Sequence, residues 1–362
     1  MGYLAFGDSI TLGVGFDDCS CQCREDCGYP ARLQEMLQEA GIDAMVTNAG
    51  IGGESTPEGL ARIDTLLPGH EVLLLMEGSN DISLQISPET TVFNLDQMAT
   101  RAERQGLSVV HATLIPRIPA ATRDPDNDVN QLVAWGVRHL AYDTERLLAD
   151  PFEVFGSVPD PFDTLYSDVP DDPVGHPNPA GFDVLAETFF NVLEERDQVP
   201  PVLGLVDPPD GSEGVPADAE LVVQLFDFGE GIDISATDLL VDGRAVGASV
   251  EGDSGNLTLT FRPSEPLAGF VEVGYRSRDL ATPPNSVERQ VARLVIEGTT
   301  LLSADLDRDG RVDGADLVRL ARAFGSGLGQ ARYDPVADLD SSGVVDGQDL
   351  AILASQFGES AI

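Results

Sequence analysis

The stretch Tyr3-Leu4-Ala5-Phe6-Gly7-Asp8-Ser9-Ile10-Thr11 decides how the first half of this chain is read. Four apolar residues bounded by Gly and Asp read as a short buried strand. Ser9 then stands at the carboxyl end of a first strand, where open α/β sheets bind their ligands. Taken alone, Gly-Asp-Ser reads equally well as a turn whose polar residues cap the next helix.

The pattern downstream alternates. Residues 29–37 read as a helix with Pro30 in its first turn, Leu33, Met36 and Leu37 on its buried face, and Gly41 as its stop. Residues 44–47 read as a second strand. It runs into Asn48-Ala49-Gly50-Ile51-Gly52-Gly53-Glu54-Ser55-Thr56, where glycines let several N–H groups approach a ligand closely. Residues 57–67 read as a helix, and 71–76 as a fully apolar strand ending in Gly78-Ser79-Asn80-Asp81. A helix over 88–105, a strand over 107–114, a long helix over 127–149, a short strand near 152–154 and a closing helix over 179–195 complete the set. Helices alternating with buried strands imply a parallel sheet covered on both faces. That is one α/β domain over residues 1–198.

The bulk numbers exclude several classes. With 362 residues, 42% hydrophobic and 23% charged, the chain is globular and long enough for two or three domains. Its 62 acidic residues face 21 basic ones, all Arg, giving a net charge of -41. Such a chain repels nucleic-acid backbones and anionic membranes, so no nucleic-acid partner is expected. No run of about 18 apolar residues is present, so no membrane span is expected. Met1 leads straight into the first strand without a leader pattern, while the downstream modules point to an extracellular or cell-surface location. Cys19, Cys21, Cys23 and Cys27 share one loop. In an oxidising compartment they would pair as two disulfides, with three pairings open; as thiolates they could instead hold a zinc ion, although the usual knuckle spacing is absent.

Beyond Pro200-Pro201 the texture changes to short alternating runs separated by Gly, Asp and Pro, as in 221–226, 257–261 and 269–275. Residues 202–298 therefore read as a small β-sandwich. The wording Pro209-Asp210-Gly211, Gly231-Ile232-Asp233 and Val241-Asp242-Gly243 resembles a bacterial immunoglobulin-like module, which implies a spacer or carbohydrate-proximal domain.

The last segment repeats itself. Asp305, Asp307, Asp309, Asp313 and Asp316 occupy positions 1, 3, 5, 9 and 12 of a loop with Gly310 at position 6. Asp338, Asp340, Ser342, Asp346 and Asp349 repeat this around Gly343. The backbone carbonyls of Arg311 and Val344 supply position 7, so each loop offers a calcium ion an oxygen cage. Position 12 is Asp rather than Glu and no entering helix precedes either loop. In both respects residues 302–358 resemble a type I dockerin. The resemblance implies two structural calcium ions in a small helical module and a cohesin-type protein partner. Gly314-Ala315 and Gly347-Gln348 stand where the best-known dockerins carry a Ser-Thr pair.

A serine that transfers acyl groups needs a base, a group to orient that base, and donors for the oxyanion. Of four histidines, His111 lies in an apolar strand, His139 on a helix and His70 in a Pro-Gly turn. His176 lies in the loop Gly175-His176-Pro177-Asn178 before the closing helix. Gly7-Asp8-Ser9, Asn48 to Gly53, Gly78-Ser79-Asn80-Asp81 and this loop occur in the order and spacing of the GDSL/SGNH hydrolases, which the first domain resembles throughout. The resemblance implies a flavodoxin-like three-layer α/β/α fold and a serine esterase needing no catalytic cofactor. It implies Ser9 as nucleophile, His176 as general base, and the Ser9 and Gly53 N–H groups with the Asn80 amide as oxyanion donors. The family places its Asp three residues before the His, where this chain has Pro173. Asp172, four before, is the assigned triad acid, with Asp171 and Asp168 as further candidates.

The expected activity is hydrolysis of ester substrates, with polysaccharide deacetylation suggested by the dockerin-like module. A lipase, lysophospholipase or thioesterase would use the same residues. An adhesion or scaffold protein with a vestigial hydrolase domain is the non-enzymatic alternative.

Overall fold

Side-chain alternation along β1 (Gly2–Gly7) sorts the core of the first unit into two layers. Tyr3 and Ala5 join one apolar cluster, and Leu4 and Phe6 the other, because successive strand residues point to opposite faces of a sheet. The structure, a computed structural model, describes residues 1–15, 28–117, 124–167, 175–299, 302–307, 309–328, 330 and 332–360. The chain divides into two compact units. Met1–Ile118, Pro125–Val202 and Asp227–Glu230 form the first, and the rest of the chain the second.

In the first unit β1, β2 (Met45–Gly50), β3 (Val72–Met76), β4 (Ser108–Ala112) and β5 (Leu147–Ala149) form a parallel sheet in the order β2-β1-β3-β4-β5. The helices are α1 (Ser9–Leu12), α2 (Gly28–Glu39), α3 (Thr56–Arg62), α4 (Ser79–Ser83), α5 (Pro88–Arg104), α6 (Asp124–Asp143), α7 (Pro151–Ser157), α8 (Pro161–Thr164) and α9 (Pro179–Leu193). On one face Leu33 and Leu37 of α2 and Phe182, Leu185 and Phe189 of α9 cover Tyr3, Ala5, Leu74 and Met76. Tyr29 stacks on Phe189 with ring centroids 4.9 Å apart, locking α2 to α9. On the other face Leu95, Met98 and Ala99 of α5 and Val133 and Val137 of α6 cover Leu4, Phe6, Leu73 and Leu75. Each such Leu or Phe contributes about 1.5–3 kcal/mol by leaving water. The expected three-layer α/β/α arrangement is what the chain builds. The strand order reverses between β1 and β3, which is where doubly wound sheets open a crevice at their carboxyl ends.

Two sequence expectations are corrected. The helix expected over 127–149 ends at Asp143, and 147–149 form the edge strand β5, whose Leu147 and Leu148 register with Val110 and His111. Glu145 breaks the helix by taking a left-handed φ of 55°. Residues 152–154, expected as a strand, lie in α7 instead. Asp150 starts that helix, accepting from the Glu153 N–H at 3.2 Å, and Pro151 follows in the first turn, where its missing N–H costs nothing.

The second unit holds two further sheets. One runs β10 (Arg244–Ala245), β9 (Asp238–Val241), β13 (Phe270–Arg278), β14 (Ser286–Ile296), β7 (Glu213–Val215). The other runs β11 (Ser249–Gly252), β12 (Asn256–Phe261), β8 (Leu221–Phe226), β6 (Val202–Asp207). Among the described residues their strand pairings are antiparallel except that of β14 with β7. After them come α10 (Gly314–Ala323) and α11 (Gly347–Gln356). Leu306, Val312, Leu320, Ala337, Val345 and Leu353 form a small core of their own around these helices. Arg293 of β14 donates to the Asp307 carbonyl at 3.2 Å, tying the sheet to the first acidic loop.

Candidate active site

β1 ends at Gly7, and the chain turns at once into α1, which begins with Ser9. A Cβ on Gly7 would lie 2.0 Å from the Met76 carbonyl oxygen and 2.2 Å from Thr11 Oγ1. Only glycine lets the end of β1 come so near the end of β3. Asp8 caps the turn: its Oδ1 accepts from the Ile10 N–H at 2.9 Å, and its Oδ2 accepts from the Ser79 N–H at 3.2 Å and from the Ser79 hydroxyl. Burial pushes the Asp8 carboxyl above its usual range, and these donors partly offset that.

His176 approaches from the loop before α9. The Ser9 hydroxyl and His176 Nε2 are 2.8 Å apart, hydrogen-bond distance for proton transfer. The loop is fastened on both sides. The Ser167 N–H and hydroxyl donate to the His176 carbonyl at 2.9 and 3.0 Å. Asn178 caps α9 by accepting from the Gly181 N–H at 3.0 Å and donates to the carbonyls of Thr164 and Tyr166. Behind it Gly15 runs so close that a Cβ there would lie 3.0 Å from His176 Cβ.

A third wall comes from the glycine-rich loop after β2. Gly53 has φ 78° with open space where a Cβ would be, so glycine is required there by conformation rather than by crowding. Asn48 Oδ1 accepts from the Gly50 N–H at 3.0 Å. Asn80 Nδ2 donates to the Glu54 carbonyl at 2.8 Å, joining this loop to the turn after β3. Beneath them Asp81 accepts from the Thr56 N–H at 2.8 Å and from the Thr91 hydroxyl at 2.8 Å. Sequence reasoning gave no role to Asp8, Ser79 or Asp81. Apart from the local Ile10 N–H, their partners are 10 to 71 residues away along the chain, and only their place inside the Gly-Asp-Ser and Gly-Ser-Asn-Asp blocks marks them. The structure thus gathers Ser9, His176, Asn80 and the Gly53 loop at the carboxyl ends of β1 and β3. Asp168, Asp171 and Asp172, and the four cysteines Cys19, Cys21, Cys23 and Cys27, lie outside the described residues.

The acidic loops of the second unit fold as near-copies. Oxygens of Asp305, Asp307 and Asp309 lie within 4.8 Å of one another, as do those of Asp338, Asp340 and Asp349. Asp305 accepts from the Gly310 N–H at 2.8 Å and Asp338 from the Gly343 N–H at 2.7 Å, with both glycines at positive φ. Asp316 accepts from the Leu306 and Asp313 N–H groups, while Asp349 accepts from those of Asp340 and Asp346. Asp313 and Asp346 cap α10 and α11, a position from which the ninth ligand commonly reaches calcium through water. Ser342 donates to the Val344 carbonyl, and Arg311 stands at the equivalent of Val344 in the first loop. Burial and the charges of Asp316 and Asp309 push the Asp305 carboxyl up; burial and the same charges do so for Asp307. Crowded carboxylates around a glycine turn, all hard oxygen donors, fit a calcium ion.

Two stretches of the chain match known protein families. The GDSL-like lipase/acylhydrolase family matches residues 5–184, and the type I dockerin domain matches residues 303–358. Esterase TesA of Pseudomonas aeruginosa is 35% identical over 109 residues, which are 30% of this chain and 51% of that protein. An arylesterase of Vibrio mimicus is 32% identical over 109 residues, with the same two shares. The chain thus spans about half the length of these curated relatives. Among solved structures, that of TesA is similar at 25% identity and a TM-score of 0.43, covering 54% of this chain and 98% of that one. Residues 5–184 are a GDSL-like lipase/acylhydrolase domain, and residues 303–358 are a type I dockerin domain.

Proposed function

We propose that the first domain hydrolyses carboxylic esters through an acyl-enzyme on Ser9. The observation that carries this reading is the 2.8 Å contact between the Ser9 hydroxyl and His176 Nε2 at the end of β1. Ser9 Oγ attacks the ester carbonyl as His176 takes its proton. The charged oxygen is held by the Ser9 and Gly53 N–H groups and the Asn80 amide, each worth about 3 kcal/mol of barrier. His176 then protonates the leaving alcohol. Water repeats the sequence on the acyl-enzyme, restoring Ser9. Asp172 orients His176 in this reading.

The chain is read as three modules over 1–198, 202–298 and 302–358, the middle one immunoglobulin-like. The last binds two calcium ions through Asp305, Asp307, Asp309, Arg311, Asp313 and Asp316, and through Asp338, Asp340, Ser342, Val344, Asp346 and Asp349. A bound ion would neutralise the carboxylates; the protein's own contribution is the fixed glycine turn at Gly310 and Gly343 and the helix starts capped by Asp313 and Asp346. Attachment to a cohesin-type partner would put the esterase outside the cell on acylated polysaccharide, the proposed substrate being an acetylated glycan. The test is hydrolysis of p-nitrophenyl acetate, a longer-chain p-nitrophenyl ester and acetylated xylan by the full chain. Acetate release from xylan supports the glycan reading; a strong preference for the long-chain ester would replace it with a lipase.

A further inference from the structure

We propose that Arg62 is a positioning residue for the oxyanion hole, acting by clamping both ends of the glycine-rich loop that carries Gly53. This rests on the esterase reading above for its catalytic consequence, but the clamp itself is a matter of geometry.

Arg62 is the last residue of α3 and lies half-buried over the Phe6 ring, its guanidinium carbon 4.0 Å from the ring centroid. From there it reaches back across the loop. Its Nη2 donates to the Ala49 carbonyl at 2.8 Å, in the last stretch of β2 just before the loop. Its Nε donates to Glu54 Oε1 at 2.6 Å, and Nη2 to Glu54 Oε2, at the loop's end. A planar guanidinium can make the forked pair and the third bond at once, whereas an ammonium cannot match that geometry. Glu54 is 6% exposed, so its carboxylate depends on this partner.

Two of the three proposed donors hang on the clamped residue. Gly53 directly precedes Glu54, and the Glu54 carbonyl accepts one hydrogen of the Asn80 amide at 2.8 Å. The amide has a second hydrogen, which the first bond fixes in direction. Arg62 is itself carried on an anchored helix: Ser55 and Glu58 cap the start of α3, and Asp81 holds the Thr56 N–H. Loss of Arg62 would free the loop, leave Glu54 buried without its cation, and let Gly53 and Asn80 drift. A misplacement of about 1 Å can cost on the order of a hundredfold in rate.

Two measurements on the full chain separate the clamp from the esterase reading. Hydrogen exchange by mass spectrometry on Arg62→Gln and Arg62→Lys is expected to show amides of residues 50–54 exchanging at least about tenfold faster, with α5 peptides unchanged. Unchanged exchange over 50–54 would overturn the proposal, whether or not the protein proves to be an esterase. For the rate, kcat on p-nitrophenyl acetate is divided by sites titrated with a fluorophosphonate, so that loss of folded protein does not count. We expect kcat per site to fall about 10–100-fold in both variants with KM within threefold, and Arg62→Gln to cost much less in an Asn80→Ala background. A kcat per site equal to the parent's, or an undiminished loss in the Asn80→Ala background, would contradict it. Ser9→Ala run in parallel tests the esterase reading separately.

Discussion

Asp8 and Ser79 tie the end of β1 to the turn after β3: one carboxylate oxygen of Asp8 accepts both the Ser79 N–H, at 3.2 Å, and the Ser79 hydroxyl. The neighbours of these two residues are Ser9 and Asn80, which supply two of the proposed reacting groups. A bond between the flanking residues therefore fixes the distance between nucleophile and oxyanion donor. Asp8→Asn would turn an NH2 group or a weaker acceptor towards two donors in a buried place. The expected loss is about 1–3 kcal/mol of stability, read as a lower Tm. In a cycle with Ser79→Ala the two losses should not add; additive losses would show that the contact carries no energy of its own.

His111 lies fully buried in β4, with Arg146 Nη1 3.4 Å from its Nε2. Burial first, and the Arg146 charge second, push its imidazole down to about 4. The unfolded chain takes up a proton as pH falls through about 6.5, while the folded chain does not until about 4. Folding is therefore favoured above pH 6.5, and up to about 3 kcal/mol is lost on acidification across that window. His111→Gln should flatten the dependence of Tm on pH between 4 and 6.5. An unchanged slope would mean that other groups set the acid limit.

Much of this was legible because the defining groups come in contiguous blocks. Gly7-Asp8-Ser9, Gly78-Ser79-Asn80-Asp81 and the His176 loop each stand at a strand end or a helix start, so motif and secondary structure point to the same place. The twelve-residue loops were legible for the same reason. What escaped depends on three-dimensional reach. Arg62 looks like any helix-terminal arginine until its side chain is followed over Phe6. The edge strand β5 escaped because no Gly or Pro separates it from α6; a left-handed Glu145 makes the break, and pairing with β4 outweighs the helical preference of Leu147-Leu148-Ala149.

Calcium should order the dockerin. In each loop the aspartates repel one another until a cation offsets their charge. Chelation by EDTA is expected to remove the circular-dichroism signal of α10 and α11 while Ser9-dependent hydrolysis stays within about twofold, because the dockerin core is built from its own residues. Parallel loss of activity would show that a calcium loop supports the esterase.

The orienting acid is open to a direct comparison. A carboxylate that fixes the tautomer of His176 should be worth orders of magnitude in kcat with little change in KM. Asp172→Ala is expected to be severely impaired, with Asp171→Ala and Asp168→Ala near the parent. Full activity in all three variants would mean that none of these carboxylates orients His176.

If His176 makes Ser9 nucleophilic, Ser9 alone should react with an electrophile that traps activated serines. The most direct measurement is peptide mapping after reaction with a fluorophosphonate at neutral pH. One adduct per chain is expected, on Ser9, forming neither in Ser9→Ala nor at comparable rate in His176→Ala. An adduct on another serine, or equal labelling without His176, would contradict it.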